Sequence, residues 1–284
     1  MAKYNVKGVE FFEWKGVPHC TIDQCGVVAT YPFEKPTTEF PIKAVLMDLD
    51  GTTVISEEFW IYLIEKTIAN LTSPEFKLGE EDTPFVSGFS TAEHLDYCIK
   101  KYKVNASVNE ALEVYHKIAR FELDEIMAGR GNAEAFKPRK GLKEFLYKLK
   151  SAGLKVGLAT SGLDYKAIPE IVLAFRVLNM GEPLEFYDAI ITGGRRKGNG
   201  EYGTIGELAV KPHPWIYTEL ATGLNVDVKN AIVIEDSSAG LLSGRLAGMN
   251  VIGFIDGNLV QSGLDAECIK MVDGFDEIIE FLKI

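Results

Sequence analysis

The chain is short of paired cysteines, of long apolar stretches and of positive charge. Its four cysteines, Cys20, Cys25, Cys98 and Cys268, form no CxxC pair and have no histidine at zinc-ligand spacing. That excludes a sequence-local zinc module and points to free, reduced thiols in a cytoplasmic protein. No run approaches the ~18 apolar residues that a membrane-spanning helix needs. The opening MAKYNVKGVEFFEW also lacks the apolar core of a secretory signal. Thirty Lys and Arg stand against 41 Asp and Glu, a net charge of −11. The isoelectric point near 5.0 therefore argues against nucleic acid or an acidic membrane surface as partner. A local basic pocket for an anionic small molecule stays compatible with that balance. Internal repeats and low-complexity tracts are absent too.

What is present is an ordinary globular composition, 46% hydrophobic and 25% charged over 284 residues. That length holds one large domain, or a core domain with a smaller one. Residues 1–41 combine aromatics, Gly and Pro with short alternating pieces, VEFFEW and CGVVATY. They read as a β-rich N-terminal extension packed on the main body, with Phe11, Phe12 and Trp14 as packing residues. From residue 42 the pattern changes. Short apolar runs bounded by turn signals, KAVLMDLD (43–50), LKVGLAT (154–160), YDAIIT (187–192), NAIVIED (230–236) and NVIGFI (250–255), have the form of buried parallel strands.

Helical patterns lie between the runs, at 141–153, 164–178, 215–224 and 238–249. The first places Leu142, Phe145, Leu146 and Leu149 on one face and closes on Gly153. Strand and helix in alternation predict an α/β fold: a Rossmann-like parallel sheet with helices on both faces. Three amphipathic segments interrupt the alternation after the first strand: EEFWIYLIEKTIANL, TAEHLDYCIKKY and NEALEVYHKIARFELDEIMAG. They predict an all-helical cap inserted there. The expected division is therefore extension 1–41, core 42–56 and 138–284, and cap 57–137.

In such sheets the site lies beyond the carboxyl ends of the strands. The first strand ends in Asp48 and Asp50, on one face of the chain two residues apart, and Gly51 lets the chain turn at once. Two close carboxylates repel, and burial raises both pKa values further; a hard, oxygen-seeking cation offsets that cost. Glu235 and Asp236 end another strand and offer a second acidic pair, with Mg²⁺ the natural ion. Lys211 supplies a cation for a phosphoryl oxygen and Thr160 a hydroxyl donor. These are the parts that phosphoryl transfer needs. Ser161 either binds substrate or caps the helix after Gly162, and Asp236-Ser237-Ser238 partly serves the same capping purpose.

DLDGT (48–52), LAT (158–160), the lysine of KPHP (211–214) and IEDSSAG (234–240) resemble, in order and spacing, the four motifs of the haloacid dehalogenase superfamily. The resemblance covers roughly residues 42–284. It implies roles position by position. Asp48 is the nucleophile that forms an aspartyl-phosphate, and Asp50 is the general acid and base. Thr160, Ser161 and Lys211 bind phosphate. Asp48, the main-chain carbonyl of Asp50, Glu235 and Asp236 hold Mg²⁺. The cap is similar to that of β-phosphoglucomutase-like and phosphoglycolate-phosphatase-like members. Asp50 argues against haloacid dehalogenase and phosphonoacetaldehyde hydrolase chemistry, which lack that second aspartate.

Three departures stand out. Ile55 replaces an acidic residue, Lys140 replaces the proline before Gly141, and Phe89 in SGFST (87–91) stands where mutase caps often carry arginine. The expectation is a Mg²⁺-dependent phosphatase of a small phosphomonoester, a sugar phosphate or similar metabolite, acting as monomer or homodimer. A phosphomutase is the alternative, and a non-catalytic binding protein on the same fold a distant third. TGGRRKGNGEYGTIG (192–206) reads as a loop, with Arg195, Arg196 and Lys197 at the rim of the site. His213 reads as a helix-start residue, and His94, Tyr97 and Lys101 as a solvated or core helix face.

Overall fold

A computed structural model describes residues 3–24, 26–85, 91–132, 134–193 and 210–284. Its centre is a parallel sheet of six strands: β4 (Ala44–Asp48), β7 (Lys155–Leu163), β8 (Ala189–Gly193), β9 (Ala231–Glu235), β10 (Asn250–Phe254) and β11 (Lys270–Val272), in the order β11-β10-β9-β4-β7-β8. All five expected strands are present, and β11 is a sixth that the sequence did not announce. β4 is buried at every position, and its side chains alternate between two cores. Val45 and Met47 join one cluster, Ala44 and Leu46 the other.

Helices α4 (Leu142–Ser151), α5 (Asp164–Val177) and α10 (Phe275–Leu282) pack with the first cluster. Helices α7 (Trp215–Gly223) and α8 (Ser238–Leu246) pack with the second. Helix α4 buries Leu142, Phe145, Leu146 and Leu149 as expected. Gly153 takes a left-handed φ of +76° just past its end, where Leu154 N–H returns to Leu149 O at 3.0 Å.

Strands β1 (Val9–Trp14), β2 (Val17–Gln24) and β3 (Val27–Pro32) form an antiparallel sheet in the order β1-β2-β3. One face carries Cys20, Ile22 and Phe33 into the core that α7 and α8 also fill. Phe11 packs edge-on against Tyr4 and Phe33. The expectation for Phe12 and Trp14 needs correction: they are 39% and 56% exposed and touch only the surface ring of His19 among aromatic groups. Strand alternation explains this, because Phe11 points inward and Phe12 and Trp14, one and three residues on, share the opposite face.

Helices α1 (Glu57–Leu71), α2 (Thr91–Tyr102) and α3 (Val108–Met127) form the insertion after β4. The chain enters it through β5 (Val54–Ile55) and leaves through β6 (Lys137–Pro138), and these two pair antiparallel. Helix α3 begins with a complete capping box, Ser107 with Glu110. Phe59, Leu63, Ile68, Tyr115, Ala119 and Leu123 bury the contact between α1 and α3. No described helix is long and apolar enough to cross a membrane.

Candidate active site

The carboxyl ends of β4, β7 and β9 meet, because register aligns Asp48 with Ala159 and Met47 with Ile234. At that end β4 turns sharply. Gly51 has φ +81°, and a Cβ there would lie 2.2 Å from Asp236 Oδ2, so both backbone and space demand glycine. The two threonines that follow tie the turn down: Thr53 Oγ1 donates to Asp48 O, and Thr52 Oγ1 to Asp236 Oδ1 at 3.2 Å. A second close approach occurs at Gly240 in the first turn of α8, where a Cβ would strike the Glu235 carboxylate. Ser237 caps that helix, accepting Gly240 N–H at 3.1 Å.

Lys211 is the hub. Its ammonium donates to Asp48 Oδ1, to Glu235 Oε1 at 2.6 Å and to Ala159 O at 3.3 Å. Tyr217 OH also donates to Glu235 Oε1, at 2.7 Å, while Glu235 Oε2 accepts Asp236 N–H, Ser237 N–H and Ser237 Oγ–H. Both carboxylate oxygens of this buried glutamate are thus engaged, as buried polar atoms require.

Asp50 faces a different set of donors. Ser56 Oγ and Trp60 Nε1 reach its Oδ1 at 2.9 and 3.0 Å, and Thr160 Oγ1 reaches Oδ2 at 3.4 Å. Ser56 and Trp60 lie at the start of α1, so the insertion itself holds this aspartate. Glu170, 1% exposed on α5, lies against Ser56 and Asp50.

Burial dominates the electrostatics. It pushes the Asp48 carboxyl well above the usual range, with Glu235 adding to it and Lys211 opposing. Burial, then Glu235, pushes Asp236 up to about 8. Burial and then Asp50 raise Glu170. For Lys211 burial works against the charge, but Asp48 and Glu235 outweigh it and hold the ammonium above its ordinary value.

Carboxylate oxygens of Asp48, Glu235 and Asp236 lie within 4.8 Å of one another. Three hard oxygen donors, two of them on carboxyls driven upward by uncompensated burial, fit a divalent hard cation such as Mg²⁺. The side chain of Asp50 stands outside that group.

A cavity of about 620 Å³ opens over these residues. Asp48, Asp50, Thr160, Ser161, Lys211 and Asp236 line its floor; Trp60, His94, Tyr115 and His116 of the insertion line the other side, together with Lys166 and Gln24. The structure therefore brings together every residue singled out in the four motifs. Ser161 does not cap a helix: β7 runs on to Leu163, α5 starts at Asp164 with no side-chain cap, and Ser161 Oγ accepts Lys211 N–H at 3.0 Å.

His213 stands directly before Pro214, the N-cap of α7, at the start of that helix as expected, and does more there. It is fully buried, with Nδ1 against Tyr31 OH at 2.8 Å, Nε2 against Gln24 O at 3.2 Å and its ring stacked on Trp215. His94 is buried at the cavity wall, and Lys101 pairs with Glu81 and Asp82 instead of facing water freely. Phe89, Arg195, Arg196, Lys197 and Cys25 lie outside the described residues. The sequence reading missed Ser56, Trp60, Glu170 and Tyr217. Glu170 left one signal, an acid on the otherwise apolar stripe Ala167, Ile171 and Ala174.

Comparison with known proteins adds four findings. Residues 42–248 match the haloacid dehalogenase-like hydrolase family. The phosphorylated carbohydrates phosphatase of Thermotoga maritima is 24% identical over 85% of the chain and 99% of that relative. Protein CbbY of Cereibacter sphaeroides is 25% identical over 84% of the chain and 94% of that relative. Among solved structures, CbbY from Rhodobacter sphaeroides in complex with phosphate superposes with a TM-score of 0.63 at 21% identity, covering 86% of this chain and all of that one.

Proposed function

The chain belongs to the haloacid dehalogenase-like hydrolase family, and we propose that it is a Mg²⁺-dependent phosphatase of a small phosphorylated metabolite, a sugar phosphate or similar monoester. The observation that carries this reading is the convergence of Asp48, Lys211, Glu235 and Asp236 at one strand end, with Asp50 held one step away by a separate set of donors. A relative named as a phosphorylated carbohydrates phosphatase supports the same substrate class.

In this reading one Asp48 oxygen attacks phosphorus and the ester oxygen leaves, taking a proton from Asp50. Asp50 then removes a proton from water, whose oxygen attacks the aspartyl-phosphate and frees Asp48 and inorganic phosphate. Ser56 and Trp60 hold the Asp50 carboxyl for both transfers. Lys211 and Thr160, with Ser161 beside them, bind phosphoryl oxygens. Asp48, the main-chain carbonyl of Asp50 and Asp236 would hold the cation, with Glu235 contributing to that set and fixing Lys211 beside it. The bound cation supplies positive charge against the phosphoryl oxygens. The three described cysteines are free, in keeping with a cytoplasmic setting.

Phosphate release from a panel of sugar phosphates, with and without Mg²⁺, tests the reading. Turnover should require Mg²⁺, and Asp48→Asn should lower kcat by at least about 10³-fold, or ~4 kcal/mol, without loss of fold. A fully active Asp48→Asn protein overturns the mechanism. Faster phosphoryl transfer to a second sugar phosphate than to water would identify a phosphomutase instead.

A further inference from the structure

One guanidinium ties together the two turns that carry the cation ligands. Arg139 is the first residue after β6, and its N–H donates to Thr53 O at 3.0 Å, one step beyond the β5–β6 pair. Its side chain is only 10% exposed. Nε donates to Gly51 O at 3.1 Å, and Nη2 donates to the same oxygen. Nη1 and Nη2 each meet one carboxylate oxygen of Asp256 at 3.0 Å. The guanidinium carbon lies 3.9 Å from the centroid of the Phe254 ring. Carbonyl, carboxylate and ring together hold this planar fork in a single pose.

The first turn is the one that follows Asp48. Gly51 N–H donates to Val54 O at 2.8 Å, while Gly51 O is taken by Arg139. The Asp50–Gly51 peptide is trans, so its carbonyl points away from its N–H. Holding Gly51 on both sides therefore fixes the direction of Asp50 O, the main-chain oxygen that would join the cation.

The second turn follows Asp236. Asn258 N–H donates to Asp236 O at 3.0 Å, and Asn258 Oδ1 accepts Ser238 N–H at 2.7 Å. Gly257 packs so closely that a Cβ there would lie 2.0 Å from Asp236 O. The segment 256–258 is thus moulded on Asp236, and Asp256 attaches it to Arg139. Thr52 Oγ1, 3.2 Å from Asp236 Oδ1, adds a second link between the turns.

The spacing of these turns bears on which ion they suit. Mg²⁺ demands ligands at about 2.1 Å in a near-octahedral array, whereas Ca²⁺ accepts about 2.3–2.6 Å and a looser one. Turns free to drift apart lose Mg²⁺ first.

We propose that Arg139 is a positioning residue that sets the distance between the two ligand-bearing turns, and through it the affinity for Mg²⁺ and the preference for Mg²⁺ over Ca²⁺. It acts through Gly51 and Asp256, and the inference rests on the cation part of the proposed function. Charge alone predicts the opposite sign, since a guanidinium repels a nearby cation and its removal would tighten binding.

Calorimetric titration of the full chain with Mg²⁺ and, separately, with Ca²⁺ tests this. Arg139→Met keeps the stem and loses the fork. It should weaken Mg²⁺ binding about tenfold to a hundredfold and Ca²⁺ binding less, so that the two Kd values draw together. Arg139→Lys keeps the charge without the fork and should recover only part of the loss. Phosphate release by Arg139→Met should need more Mg²⁺, with KM for the ester near the parent's once Mg²⁺ saturates. Where Arg139→Met does not fold, Asp256→Asn, on a side chain 57% exposed, should show a smaller shift in the same direction. Unchanged or tighter Mg²⁺ binding in the folded variants, full recovery in Arg139→Lys, or a Kd ratio equal to the parent's overturns the proposal. A fall in Tm with both Kd values unchanged does so too. A parent protein that binds no Mg²⁺ overturns the cation reading itself, which is distinct from a parent and variants that bind it equally well.

Discussion

The N-terminal sheet and the helical insertion both border the cavity, but by different physical means. The sheet shares its apolar face with α7 and α8, and it reaches the site through main chain and one buried imidazole: Gln24 O and Tyr31 OH grip His213, two residues from Lys211. The insertion joins the core through the short β5–β6 pair and reaches the site with side chains, Ser56 and Trp60 on Asp50 and Tyr115 beside Lys166. One contributes by fixing a loop, the other by furnishing what the substrate and Asp50 meet. Changes in the sheet should therefore register mainly in stability, and changes on the insertion mainly in turnover.

The largest effect is expected at His213. His213→Ala removes two hydrogen bonds and a stacked ring from a fully buried place, a loss of about 3 kcal/mol. For a chain of this size that is a fall in Tm of roughly 6–12 °C, read by calorimetry. A kcat that dropped more than about tenfold in the folded protein would show that the sheet also sets Lys211 chemistry, and the contrast would blur. Trp60→Phe comes next. It deletes a donor to Asp50, worth about 1.5–3 kcal/mol, so kcat/KM should fall roughly tenfold to a hundredfold while Tm moves little. A large fall in Tm with normal turnover would reverse the assignment.

Glu267 tests the anchoring of the sheet by pH. Tyr4 OH and Arg245 both donate to it, at 2.6 Å from Arg245 Nη1. Burial works to raise its carboxyl, but these donors prevail and hold it below its ordinary value of 4.5. The folded pKa lies below the unfolded one, so this stabilisation is full above pH 4.5 and fades as pH falls through the folded value. Glu267→Gln should lower Tm by several degrees at pH 7, and the gap to the parent should close in acid. A gap independent of pH would contradict the charge account. The smallest effect belongs to the exposed pair Lys7–Glu93, which links the N-terminal segment to α2. Lys7→Ala should shift Tm by no more than about 1 °C. A shift of several degrees would mean that sheet and insertion act as one body.

The core was legible because burial on both faces writes itself as uninterrupted apolar runs, and because the runs stop at residues too polar to be there without a task. β11 escaped for the converse reason: an edge strand of three residues, half of it wet, has too little apolar signal to separate from a loop. The motif residues were readable from their places at strand ends together with the resemblance to the family's motifs. Ser161 and His213 were not, because their partners, Lys211 N–H and Tyr31 OH, are distant in sequence and only the fold supplies them. Trp60 looked like one more apolar residue of α1, and nothing local marks which face of that helix looks at Asp50. The turn at Thr53-Val54-Ile55 now has an account: Thr53 serves the β4 carbonyl, Val54 starts β5, and Ile55, 39% exposed, pairs with Lys137 at the entry to the insertion.

The position of β4 also bears on the order in which the molecule can assemble. Ala44 lies between Lys155 and Ala231, so the strand made first in the sheet occupies its middle and waits for a neighbour that leaves the ribosome far later. The N-terminal meander closes on itself early, but its grip on His213 and its seat on α7 and α8 must also wait. Contacts of such sequence separation slow folding. Asp48 lacks its lysine until residue 211 is synthesised, and its acidic partners Glu235 and Asp236 until residue 236. The arrangement that surrounds Asp48 is therefore complete only once β9 has been made.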